Sequence, residues 1–158
     1  MASSTVEDFW DIYNNEWKEA RTCLRKERNE EEVIYQLMRI VRGVYDLCLN
    51  EAQTVKTSNE IDDIVEEYLL KRLPKSFDKD NLPTSVRLFI HRCIQSLYKL
   101  CCTKPDICIY WIPKGEVIDK EKFDIEGNKD EHVCDWTVWP AVLADDGTLL
   151  KKGVVISV

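Results

Sequence analysis

An α+β chain is what this sequence predicts: an N-terminal block of four helices followed by a small, largely antiparallel β-sheet packed on it. Three observations carry that expectation. Up to residue 104, apolar side chains recur at spacings of three and four, the period of a helix face. From Ile107 onward, β-branched and aromatic residues gather into short runs. Pro105 stands between the two patterns. With 158 residues, 44% of them hydrophobic, the chain has the size and composition of one folded domain, residues 1–104 forming its helical part and 105–158 its β part.

The first helix is expected from Thr5 to Lys26, because Val6, Trp10, Tyr13, Trp17, Ala20 and Leu24 fall on one stripe. Asn29 followed by Glu32 has the side-chain logic of a capping box, so a second helix should run from Glu30 to Gln53 on Val33, Leu37, Ile40, Val41, Val44, Leu47 and Cys48. Glu30, Glu31 and Glu32 then occupy its first turn, where the helix dipole favours carboxylates; that is a helix start and not a metal site. After a polar break at Thr54–Ser58, Ile61, Ile64, Val65, Tyr68, Leu69 and Leu73 define a third helix that Pro74 should end. Lys75–Asn81 reads as a charged loop. A fourth helix begins near Pro83, and its apolar face of Val86, Phe89, Ile90, Cys93, Ile94, Leu97, Tyr98 and Cys101 is wide enough for a central position.

Strands are expected at Ile107–Ile112, Cys134–Leu143 and Leu149–Val158, with Asp145-Asp146-Gly147 as the hairpin turn between the last two. Pro140 cannot donate to a ladder, so the second strand should be at an edge or bulged there. Both faces of that strand are apolar: Cys134, Trp136, Val138 and Val142 point one way, Trp139, Ala141 and Leu143 the other. The expected cover for the second face is the Lys114–Val133 loop or the rest of the core, the alternative being a partner or ligand.

Several function classes lose support. A net charge of −7 argues against a surface built for nucleic acid. No apolar run reaches the roughly 20 residues of a membrane span, and Met1–Trp10 carries acids where a signal peptide is apolar, so the expectation is a cytoplasmic protein. The seven cysteines (Cys23, Cys48, Cys93, Cys101, Cys102, Cys108 and Cys134) are odd in number, contain no CxxC pair and fall mostly on apolar faces, as reduced thiols do. Five scattered glycines form no phosphate loop, and no hydrolase, kinase or metalloprotease signature accompanies His91 and His132.

A zinc set drawn from His132, Cys134, Cys101, Cys102 and Cys108 has poor spacing. His91 and Cys93 diverge by about 200° around their helix, which suits no nucleophile and base. The expectation is a binding protein with no catalytic residues, metal or cofactor. Its candidate site is the basic cluster Lys71, Arg72, Lys75 and Lys79 at the junction of the third and fourth helices, an anion patch suited to phosphate headgroups; the plain alternative is a solvated face.

The strings Cys134-Asp135-Trp136-Thr137-Val138-Trp139-Pro140-Ala141-Val142-Leu143 and Gly147-Thr148-Leu149-Leu150-Lys151-Lys152-Gly153-Val154-Val155 resemble the C-terminal domain of the mitochondria-eating protein (Mieap) family. The order of elements is similar too. The resemblance implies a cytosolic protein recruited to mitochondria for quality control, with affinity for the anionic lipid cardiolipin at the membrane surface and a tendency to self-associate. That family is pictured with coiled coils ahead of this domain, whereas the first helix here starts within ten residues, so coil-dependent self-association is not carried over. The family motif supplies no catalytic residue to map. The alternative function is an adaptor domain docking a protein partner through its apolar sheet face, with Trp136 and Trp139 as contact residues.

Overall fold

The computed structural model describes residues 2–52, 61–103, 107–126 and 132–157. The expected polar break at Thr54–Ser58, the helix limit at Gln53, the stop at Pro105, part of the 114–133 loop and the strand end at Val158 lie outside the described residues. The chain divides into two compact units, Met1–Lys104 and Pro105–Val158. Helices fill the first and strands the second, an α+β arrangement.

In the first unit the expected opening helix is broken: α1 spans Ala2–Asn14 and α2 spans Glu16–Leu24. Asn15 leaves helical geometry at φ −121°, ψ −87°, its side-chain amide donating to the Asp11 carbonyl at 2.8 Å. Asparagine competes in this way with the backbone ladder. The break also changes which side chains are covered. In α1 the buried residues are Thr5, Val6, Phe9 and Ile12, and in α2 they are Trp17, Ala20 and Leu24. Trp10 and Tyr13 are half-buried, in a chain of rings at 5.6 Å (Trp10–Tyr13) and 4.9 Å (Tyr13–Trp17). A continuous stripe through Trp10 and Tyr13 is therefore corrected, because a stripe cannot keep its phase through a break.

Helix α3 spans Glu30–Ala52. The Asn29 side chain accepts from the Glu32 amide at 2.8 Å, the expected cap, and Arg21 and Arg25 pair with Glu30 from the end of α2. Helix α4 spans Ile61–Lys71 and stops two residues short of Leu73, as Pro74 requires. A short 3-10 turn at Lys79–Asn81, capped by Asp78, leads to α5 at Thr84–Thr103. Helix α5 packs against α1, α2, α3 and α4, and Val86, Phe89, Ile90, Cys93, Ile94 and Leu97 are fully buried on it. Its central position follows from that wide apolar face. From α5, Arg92 reaches Asp8 of α1 at 3.1 Å and Glu16 of α2 at 3.6 Å, bracing both sides of the break at Asn15.

The second unit holds two three-stranded sheets. One has the order β1-β4-β5 (Cys108–Tyr110, Ala141–Leu143, Leu149–Lys151), all antiparallel. The other has the order β2-β6-β3 (Phe123–Glu126, Gly153–Ser157, Cys134–Trp139), antiparallel between β3 and β6 and parallel between β2 and β6. The first expected strand is shortened, and the other two are interrupted, the second at Pro140 and the third at Lys152, so one long hairpin serves both sheets. Where it passes between them the backbones are in close approach: a Cβ on Gly153 would lie 2.4 Å from the Trp139 carbonyl oxygen. Gly147, at φ +88°, makes the turn that joins β4 to β5, where Thr148 donates to the Asp146 carboxylate at 2.9 Å.

Strand β2 lies in a stretch expected to be loop. Phe123 from β2 and Ile118 just before it pack with Ile112, Cys134, Ala141 and Val155 in the core of this unit. Ile118 donates to the His132 carbonyl at 2.7 Å and Cys134 to the Glu116 carbonyl at 2.8 Å, fastening that stretch along β3. The described part of the 114–133 segment thus packs on apolar residues of the strands, as expected, and does so in part as a strand.

Candidate functional site

The C-terminal end of α4 builds the basic region. Both Arg72 and Leu73 donate their amides to the Tyr68 carbonyl, at 2.8 and 3.0 Å, which closes the last turn. Pro74 then turns the chain, its carbonyl accepting from Phe77 at 3.0 Å. Arg28 holds the far side of this turn, donating to the Ser76 carbonyl at 2.9 Å and lying 4.4 Å over the Phe77 ring. Lys71, Arg72 and Lys75 are exposed around this end, with Leu70 beside them also exposed. Lys71 pairs with Glu67 one turn earlier at 3.4 Å.

Lys79 is placed differently. It opens the 3-10 turn, is half-buried, and its carbonyl accepts from Arg87 at 3.2 Å. Of the four residues expected to form the patch, Arg72 lines a groove, and two arginines that sequence reasoning passed over line it with Arg72: Arg39 and Arg42 of α3. Their signal lay in an exposed stripe of α3 opposite the core, Tyr35, Arg39, Arg42 and Asp46, at helical spacing. That Arg72 would meet this stripe was not legible from spacing, since it depends on how α3 and α4 pack.

The two tryptophans part company. Trp139 is 0% exposed and so belongs to no open face. Trp136 is half-buried, with Lys114 4.8 Å over its ring and Lys114 also paired with Asp135 at 3.3 Å. An exposed pair of indoles is therefore not what the fold presents.

The thiols are mostly interior. Cys48, Cys93, Cys101 and Cys134 are buried, Cys23 half-buried, and Cys102 and Cys108 exposed. Burial pushes the Cys48 and Cys93 thiols well above their ordinary range and Cys101 up to about 12, so these remain protonated near neutrality. Cys48 and Cys134 point their thiols at the Ile94 and Ile112 carbonyls, each at 3.8 Å. Among the described residues no group of three or more His, Cys, Asp or Glu side chains is placed to hold a metal ion. Also among them, no helix is long and apolar enough to cross a membrane.

Residues 36–157 match the family model described as mitochondria-eating protein, over most of the chain's length. No curated protein and no solved structure matches the chain.

Proposed function

The chain belongs to the mitochondria-eating protein family, whose name ties it to mitochondrial quality control, and on that premise we propose a non-enzymatic module that binds anionic mitochondrial lipid, cardiolipin above all. The observation that carries the lipid part is the exposed cationic end of α4, with Lys71, Arg72 and Lys75 gathered around one turn on a chain whose net charge is −7. Each such residue near an anionic bilayer adds on the order of 1 kcal/mol of attraction, so three give useful affinity while binding stays peripheral. Leu70, exposed in the same turn, offers an apolar side chain to the interface. On this reading the protein is cytoplasmic and reaches mitochondria by attachment to a membrane surface.

Flotation with phosphatidylcholine vesicles, with and without cardiolipin, tests the reading. The parent chain is expected to float with cardiolipin only, and the triple reversal Lys71→Glu, Arg72→Glu, Lys75→Glu to stay at the bottom with an unchanged circular dichroism spectrum. A folded triple variant that floats like the parent excludes this patch. A parent that never floats removes the lipid reading and puts a protein-docking role first.

A further inference from the structure

The groove beside the end of α4 is lined by Tyr35, Met38, Arg39, Arg42, Arg72 and Pro74, together with Gly43 and Asp46, and encloses about 400 Å³. Three guanidiniums and one carboxylate line it, in a chain that is acidic as a whole. Arg39 and Arg42 stand one turn apart on α3, and Arg72 comes from the end of α4, so the charges are delivered by two separate elements. Neither Arg39 nor Arg72 has a carboxylate partner among the described residues; Arg39 instead lies 5.8 Å over the Tyr35 ring.

The side of this groove at Gly43 holds a second observation. Tyr68 is fully buried, and its ring packs against Gly43 so closely that a Cβ there would lie 3.4 Å from Cε1 and 3.8 Å from the hydroxyl. That hydroxyl has no hydrogen-bond partner among the described residues. Burial raises the Tyr68 pKa, and the positive charges of Arg39 and Arg72 both oppose the rise, which puts the two guanidiniums within electrostatic reach of one buried oxygen. Tyr68 lies behind Gly43 and does not itself line the groove; what the groove presents to an anion with oxygens to share is the three guanidiniums.

The geometry points to Arg39, Arg42 and Arg72 as a seat for a phosphate group, taking the phosphodiester headgroup of an anionic phospholipid. Guanidinium forks match phosphate oxygens in pairs, which lysines do not do, so these arginines orient a headgroup that Lys71 and Lys75 attract from a distance. The volume is in the range of small-ligand sites, roughly 300–1,000 Å³, enough for a headgroup. This inference rests on the lipid reading above and replaces a diffuse patch with a defined seat.

Two measurements on the whole chain separate its failure from failure of that reading. In the first, vesicle affinity is compared between the parent, the double variant Arg39→Gln, Arg42→Gln, and a control, Lys18→Gln, Lys26→Gln, that removes equal charge from the exposed surface of α2 and the residues after it. The double variant is expected to lose about tenfold in affinity for cardiolipin vesicles and the control less than about twofold, since paired guanidinium contacts exceed the general charge effect. In the second, inorganic phosphate is titrated into the parent while the arginine side-chain NMR signals are followed. Saturable shifts at Arg39, Arg42 and Arg72, alongside flotation, support the seat. If the parent floats and the double variant floats equally well, the seat is overturned and the lipid reading stands. Saturable phosphate shifts without any flotation overturn the headgroup as the source and leave a site for free phosphate. Neither shifts nor flotation overturns both.

Discussion

A single buried hydroxyl decides much about the β unit. Thr137, 2% exposed, accepts from the Ile112 amide at 3.1 Å and donates to the Ile112 carbonyl at 3.0 Å, closing both backbone groups where the chain leaves β1. Valine has nearly the same shape and no hydroxyl, so Thr137→Val strands the Ile112 amide in the interior and leaves its carbonyl to the weak Cys134 thiol. The expected loss of stability in urea unfolding is about 1–3 kcal/mol, with Thr137→Ser milder because its hydroxyl remains. If valine proved neutral, the Ile112 groups would have to be reaching water. The sequence could not disclose this contact. Thr137 was legible as a strand residue, but its partner lies 25 positions away and carries no side-chain signal. The cysteines show the opposite case. Alternation along β1 puts Ile107 and Ile109 inward and Cys108 outward, and a step of about 100° takes Cys102 off the face that buries Cys101. Local period accounts for this sorting, although the sequence reading does not draw it and places the cysteines together as mostly on apolar faces.

Among the elements, those held by local rules were the ones sequence reasoning placed well. The cap at Asn29, the stop before Pro74, the turn at Gly147 and the break at Pro140 each follow from one residue's own chemistry. The misses came from competition. Asn15 broke a helix whose apolar spacing looked continuous, and β2 was hidden because Phe123-Asp124-Ile125-Glu126 is a short alternating run inside a charged stretch. Its partner β6 supplies the ladder that makes it a strand. The same ladder accounts for Gly153, which pairs with Phe123 while passing 2.4 Å, measured from a notional Cβ, from the Trp139 carbonyl. Gly153→Ala therefore drives a methyl into backbone that no rotamer change can move. Destabilisation of about 3 kcal/mol is expected, at the upper end of ordinary overpacking, read as a lowered midpoint of thermal unfolding. A melting curve equal to the parent's would mean that the hairpin bends elsewhere.

At the scale of the whole molecule, the proposed membrane attachment sets two opposed fields against each other. The net charge of −7 repels an anionic surface over the full screening length, whereas on the lipid reading Lys71, Arg72 and Lys75, with the groove arginines, attract it at contact. Screening length is about 30 Å at 0.01 M salt, about 10 Å at 0.1 M and about 3 Å at 1 M. At the lowest salt the acidic body is felt by the bilayer along with the patch. Near 0.1 M distant acids are screened while groups at the contact are not. Toward 1 M the contact itself weakens. Affinity for cardiolipin vesicles is therefore expected to pass through a maximum at about 0.1 M and fall beyond it, unlike the steady decline of a uniformly basic protein. The Lys71→Glu, Arg72→Glu, Lys75→Glu variant, lacking the local attraction, should have no maximum at any salt. Parent binding that is indifferent to salt would assign the attraction to apolar insertion around Leu70 and not to the cations.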